Sequence, residues 1–233
     1  MARVPRAAAV LVAAGLLGLA LLGSVAAEAG ASSSSSASLA QARKDLLVLS
    51  DMPAGWTTTK NPNTGNNTVG DSQLARCVGV STSLISENPP SVNSPQFQNT
   101  GGTLNVADNV TVFPTAKNAA TEAAIGGNPK LSRCMTTMAS GPLKSKLFGK
   151  TPRGTTLGTP LVSPAAPAAF GPGVVGYSMS VPITSDKVTL NVTVTQLIVV
   201  KGRLGHQVTF TSVGAPFSTA LQKQIMAVAA RQL

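Results

Sequence analysis

The sequence predicts an α+β fold, an antiparallel β-sheet with a C-terminal three-strand meander packed against several helices as an α/β sandwich. Three observations lead to it. The last third alternates apolar and polar residues with period two, the mark of strands with a buried face. Segments before and after it carry apolar residues at helical spacing behind capping residues. Hydrophobic residues make up 43% of the 233-residue chain but aromatics only 3%, so the core must be built from Val, Leu, Ile, Ala and Met. Charged residues are 11%, under half the usual share of about 25%. Thr, Ser, Asn, Gln and Gly supply the polarity instead.

Residues 1–31 have the order of a secretory signal segment. Arg3 and Arg6 form a positive start, Ala7 to Gly23 is an unbroken apolar run, and Val25-Ala26-Ala27 and Ala29-Gly30-Ala31 offer small-residue cleavage sites. Cleavage is expected after Ala27, Ala29 or Ala31, with Ala27 and Ala31 favoured. The alternative is an uncleaved anchor, because Ala7 to Ala27 is about 21 residues, enough to span a bilayer. In both cases the basic residues stay on the cytoplasmic side. The remainder is then secreted or held on the extracellular face of the cell envelope. Residues 32–38 read SSSSSAS, a flexible Ser-rich linker. A single extracellular domain is expected over 39–233, large enough to bury roughly 70% of its unfolded-chain surface.

Ser38 can cap a helix running to Leu49, with Leu39, Ala42, Leu46 and Leu49 in one stripe. Asp51-Met52-Pro53-Ala54-Gly55 ends it, and Trp56, the sole Trp, is read as core packed over this helix. Asn61 to Gly70 is a polar loop. A second helix begins at Asp71 or Ser72, directs Leu74, Cys77 or Val78, and Ile85 inward, and stops near Pro89-Pro90. Thr103 to Phe113 reads as a strand, with Leu104, Val106, Val110 and Val112 on one face and Asp108 among them. An Ala-rich helix follows from Thr115 to Ile125. The next helix, opened by Asn128-Pro129, lines up Leu131, Cys134 or Met135, and Met138.

Gly141 to Pro172 is basic, then rich in Pro, Ala and Gly, and reads as a surface excursion. The meander comes next. Val175, Tyr177, Met179, Val181 and Ile183 alternate, as do Val188, Leu190, Val192, Val194, Ile198 and Val200. After a turn at Lys201-Gly202, Leu204, His206, Val208 and Phe210 continue facing inward. Pro216 opens a final helix with Phe217, Leu221, Ile225 and Val228 as its stripe. Helices covering one face of the sheet are the economical arrangement.

Cys77 and Cys134 are the two cysteines of the chain. Outside the cytoplasm such a pair is expected as a disulfide, closing a loop of about 58 residues and worth at most about 4 kcal/mol. Two separate buried thiols are the alternative. The net charge is +10, and removing Arg3, Arg6 and Glu28 lowers it only by one. No acid lies between Glu122 and Asp186, a window that holds Lys130, Arg133, Lys144, Lys146, Lys150 and Arg153. Such a face either attracts polyanions, anionic cell-wall polymers among them, or is a solvated loop. Too few Phe interleave for a base-stacking platform, so nucleic acid is not expected. Membrane contact is expected only through the N-terminal segment, if it is retained.

Chemistry has few places to reside. The sole histidine, His206, shares the apolar side of its strand with Leu204 and Val208, and no G-x-S-x-G elbow accompanies it. Asp108 also falls on an apolar strand face, so the two can meet in a small polar pocket if their strands are neighbours. The acids form no facing carboxylate pair. Imidazoles and thiols are too few for a metal site. The glycine pairs sit at turns rather than in a phosphate-binding G-x-G-x-x-G. The chain therefore reads as no enzyme, with no catalytic residue, metal or cofactor.

Leu46-Leu47-Val48-Leu49-Ser50-Asp51-Met52-Pro53-Ala54-Gly55-Trp56 resembles the opening motif LL…sDlP.GW of actinobacterial secreted domains. Asn109-Val110-Thr111-Val112-Phe113-Pro114-Thr115-Ala116, leading into an Ala-rich helix, resembles their central strand and helix. The order of terminal strands and closing helix is also similar. Over residues 39–233 the chain thus resembles the sensor-like extracellular domain of mycobacterial Ser/Thr kinases and related free-standing secreted proteins. The resemblance implies a PsbP-like α/β sandwich with a central antiparallel sheet, and a cleft for an unknown extracellular ligand. It transfers no catalytic residues. Those sensors carry two disulfides where this chain can form one, and residues 1–233 include no kinase segment, so no signalling output carries over.

The expected function is a non-enzymatic, sensor-like binding domain of the cell envelope, taking an unknown small molecule or an anionic cell-wall polymer. His206, Asp108 and Tyr177 are its candidate lining, with Lys144, Lys146, Lys150 and Arg153 at the rim. A structural or wall-associated protein retained by its basic loop is the alternative, and a hydrolase of unrecognised type is the third reading.

Overall fold

The computed structural model describes residues 33–61, 71–81, 89–141, 154–165 and 169–233. The signal segment, Ile85, residues 62–70 of the loop expected at Asn61 to Gly70, and residues 142–153 and 166–168 of the excursion expected at Gly141 to Pro172 lie outside these residues; the described part of that excursion adds two short strands to the sheet instead. Helix α1 spans Ser33–Lys44 and a 3-10 turn follows at Leu49–Asp51. Then come β1 (Thr57–Thr59), α2 (Asp71–Val78), β2 (Ser91–Asn93), β3 (Gln96–Gln98) and β4 (Leu104–Val112). Helices α3 (Ala116–Gly126) and α4 (Leu131–Ser140) lead to β5 (Thr155–Leu157) and β6 (Leu161–Pro164). The chain ends with β7 (Val175–Ser185), β8 (Val188–Lys201), β9 (Leu204–Val213) and α5 (Thr219–Gln232).

The nine strands form one sheet in the order β1-β3-β4-β9-β8-β7-β5, with β2 also on β4 and β6 also on β7. Every pairing is antiparallel. The C-terminal meander is therefore as the alternation predicts, and its turns are tight. Asp186 and Lys187 both take positive φ, 49° and 66°, the backbone of a two-residue hairpin whose twist matches its strands. The five short strands β1, β2, β3, β5 and β6 have three or four residues each, too few to show a period.

The sheet is covered on both faces, not on one. On the first face lie Val106, Val110, Leu197, Val199, Val208 and Phe210, all buried under α1 and α5. Helix α5 contributes Ile225, Met226 and Ala229 to that core. Phe217 stacks edge-on against Phe210 at 5.2 Å and touches Trp56 at 6.2 Å. Trp56 is thus core, as expected, but its aromatic partner is Phe217 just before the closing helix. On the second face lie Tyr177, Met179, Val181, Val192 and Val194, and α2, α3 and α4 cover it. Two-sided burial explains why the middle of β8 loses its alternation: Val194 to Val199 are buried without interruption.

Helix α1 also departs from expectation. It starts at Ser33, inside the Ser-rich run, and stops at Lys44, before Leu46 and Leu49. Leu47 becomes the buried residue, 1% exposed, while Leu49 is 43% exposed. The cause is tertiary. The Leu47 N–H donates to the Asp108 carboxylate at 3.0 Å, which takes the chain off its helical course. By contrast α3 follows its sequence signals and α4 keeps its expected stripe, although α4 starts at Leu131 behind Lys130, two residues after the expected Asn128-Pro129 opening, whose Asn128 side chain accepts the Lys130 N–H in the preceding turn. The Thr115 hydroxyl accepts from the Asn118 N–H to cap α3, and Leu131, Cys134, Met135 and Met138 form the buried stripe of α4.

Cys77 and Cys134 form a disulfide that ties α2 to α4, with their Cα atoms 5.8 Å apart. Cys134 is buried and Cys77 exposed. Gly176 supports the sheet differently. A Cβ there would lie 1.9 Å from the carbonyl oxygen of Gln196 on β8, a distance no side chain tolerates. Gly176→Ala is expected to cost about 3 kcal/mol or more by overpacking, seen as a lower urea midpoint. Replacing both cysteines with alanine is expected to cost about 2–4 kcal/mol, read from the same denaturation curves in the absence of reductant.

Candidate functional site

The pairing of β4 with β9 decides where the two ionisable candidates meet. Val110 lies opposite His206 and Asp108 opposite Val208, so His206 and Asp108 are diagonal neighbours on one face. Their side chains are fully buried, with His206 Nδ1 3.4 Å from Asp108 Oδ1. The other carboxylate oxygen accepts the Leu47 N–H. The backbone of Asp108 is held as well: its N–H donates to the Ser94 hydroxyl and its carbonyl accepts the Ser94 N–H, both at 2.9 Å. Neither ring nitrogen of His206 nor Asp108 Oδ1 makes a hydrogen bond to a protein group. Asp45 is also buried nearby in sequence and accepts from the Gln41 amide at 2.7 Å.

This pair is the polar meeting point that strand parity suggests, but it is sealed inside the core. Its visible role is mechanical. Asp108 joins three segments, its carboxylate reaching His206 on β9 and Leu47 after α1 and its backbone binding Ser94 between β2 and β3.

Tyr177 is not part of that cluster. The β7–β8 register sets it directly opposite Gln196, on the other face of the sheet. Neighbours on this face include Met179, Leu131, Met135 and Met138. Tyr177 is 4% exposed and Gln196 0%. The Tyr177 hydroxyl and both polar atoms of the Gln196 amide hydrogen-bond no protein group. Desolvation pushes the phenol well above its ordinary range, so it stays protonated. Each buried polar atom left without a partner costs about 1–3 kcal/mol. Three together are a large sum for a domain whose whole stability is on the order of 10 kcal/mol.

Gln196 was not among the sequence candidates, yet its signal is present. It interrupts the inward series Val192, Val194, Ile198 with an amide. The basic candidates Lys144, Lys146, Lys150 and Arg153 lie outside the described residues. Of the same acid-free window, Lys130 and Arg133 are exposed at the start of α4. Among the described residues, no group of three or more His, Cys, Asp or Glu side chains could hold a metal ion. No helix among them is long and apolar enough to cross a membrane.

No protein-family model matches the chain, and no curated protein matches it. Among solved structures it is weakly similar to the extracellular domain of PknH from Mycobacterium tuberculosis, with a TM-score of 0.41 and 11% identity over 83% of this chain and 95% of that one.

The Asp108 contacts make a direct prediction. Asp108→Ala removes the partner of a buried imidazole and the acceptor of the Leu47 N–H, and is expected to cost about 3–5 kcal/mol. Asp108→Asn keeps an acceptor and is expected to cost less. Urea unfolding of the two variants beside the parent chain measures the difference.

Proposed function

We propose that this chain is a non-enzymatic, sensor-like binding domain that works outside the cytoplasmic membrane and takes a small or anionic ligand of the cell envelope. The observation that carries the reading is the burial of the His206–Asp108 pair. The chain's only histidine is spent inside the core, joining segments, which leaves it no imidazole at a surface for hydrolysis. The Cys77–Cys134 bridge supports the compartment, since such bonds persist where thiols are oxidised. The signal-like order of residues 1–31 supports it too. A second reading, a wall-associated protein retained by charge, draws on the acid-free basic window and on the exposure of Lys130 and Arg133.

Thermal melts of the purified protein against wall fragments, polyphosphate, anionic lipid and small metabolites separate these readings. A ligand at 100 times its dissociation constant adds about 2.7 kcal/mol, which for a domain of this size is roughly 5–11 °C in Tm. A shift of that size that persists at high salt is expected for the binding domain. Shifts confined to polyanions and abolished by salt are expected for charge retention. A flat panel speaks against both ligand classes.

A further inference from the structure

The polar groups of Tyr177 and Gln196 invite a use. The two residues are directly opposed on β7 and β8, and their side chains leave the sheet on the same face. The face they share is covered by α3 and α4. The end of α3 comes very close to the sheet beside them: a Cβ on Gly126 would lie 3.1 Å from Val175 and 3.2 Å from Ile198. Val175 and Ile198 are themselves the cross-strand pair two residues along from Tyr177 and Gln196. On the other side Met179 and Val181 meet Leu131, Met135 and Met138 of α4. The polar pair therefore sits between the pinched end of α3 and the apolar stripe of α4.

The groups presented there are specific in kind. A phenol can donate one hydrogen bond and accept others, and a carboxamide offers two donors and an acceptor. All are neutral, and burial holds the phenol in its protonated form. A charged guest would be desolvated on entry without an opposite charge from either residue. An uncharged guest with its own donor and acceptor would satisfy both side chains at once, in otherwise apolar surroundings typical of small-molecule sites.

We infer that Tyr177 and Gln196 form an internal recognition site for a small uncharged molecule bearing both a hydrogen-bond donor and an acceptor, enclosed by α3, α4 and the β7–β8 face. This deepens the binding reading above and rests on it for biological meaning. It selects the small-ligand branch and places recognition inside the domain.

The test titrates the isotopically labelled protein with acetamide, the simplest probe carrying both groups, and follows the Gln196 side-chain amide by NMR. The expected result is a saturable shift of that resonance, with the same probe binding at least tenfold more weakly to Tyr177→Phe. Gln196→Met, similar in volume but without the amide, is followed through the neighbouring Val175 and Ile198 methyl resonances, whose saturable shift in the parent chain it should abolish while its own melt shows that it remains folded. A shift that rises linearly without saturating in the parent chain overturns the proposal, as does saturation that is equal in Tyr177→Phe. If that happens while a polyanion still shifts the melt of the parent chain, the internal site falls and the envelope-binding reading stands. If acetamide saturates and the panel is flat, the reverse holds for the ligand classes in the panel.

Discussion

The two central strands, β8 and β9, are buried on both faces, with β4 and β7 beside them each burying mainly one, and the rest of the architecture answers that constraint. A sheet closed on two sides cannot hide polar side chains in solvent. Each polar residue inside it must find a partner in the protein or in something the protein holds. The two faces treat this demand differently. On the α1/α5 face, Asp108 and His206 approach each other at 3.4 Å and one carboxylate oxygen takes the Leu47 N–H, while the other oxygen and both ring nitrogens make no hydrogen bond to the protein. On the α3/α4 face, Tyr177 and Gln196 meet no protein group. The first arrangement is a fastening. The second is the natural place to look for a ligand.

The fastening has consequences for the N-terminal third. Asp108 lies in the middle of β4, yet it governs a segment about sixty residues earlier, because its carboxylate draws the Leu47 backbone to the sheet. Helix α1 ends at Lys44, and the run Leu46 to Leu49 redistributes its apolar side chains. Ala42 with Val110 and Val112, flanked by Leu39 and Leu46, makes a small core of its own against β4. On the opposite face the Cys77–Cys134 bridge performs a comparable service for α2, an eight-residue helix too short to be stable alone. Each face thus has one cross-link that holds an earlier segment in place, the Leu47 backbone to β4 on one side and α2 to α4 on the other.

Local patterns were sufficient where the element was long and one force shaped it. Val106, Val110 and Val112 of β4, the stripe Leu131, Cys134, Met135 and Met138 of α4, and the turn at Lys201-Gly202 could all be read directly. The apolar strand positions of Asp108 and His206 allowed them to meet only if their strands were neighbours, a condition that the β4–β9 pairing supplies. Patterns failed where a distant contact intervened. Leu49 carries the right helical spacing but is exposed, because a carboxylate more than fifty residues away captures the intervening backbone. Tyr177 carries the same inward parity as His206 in its own strand, yet parity within one strand says nothing of which face of a shared sheet is meant.

By itself the sequence determined the α+β class, the C-terminal meander, the main apolar stripes and the availability of one cysteine pair, because these follow from short-range periodicity, turn chemistry and composition. Only the tertiary structure decided that both sheet faces are covered and that the short strands extend the sheet on either side. It also decided that His206 and Asp108 are sealed together, while Tyr177 lies on the opposite face with Gln196. These depend on strand register and on which helix lands on which face. Such choices are set by cross-strand pairing between residues far apart in the chain, a relation that no window of neighbouring residues encodes.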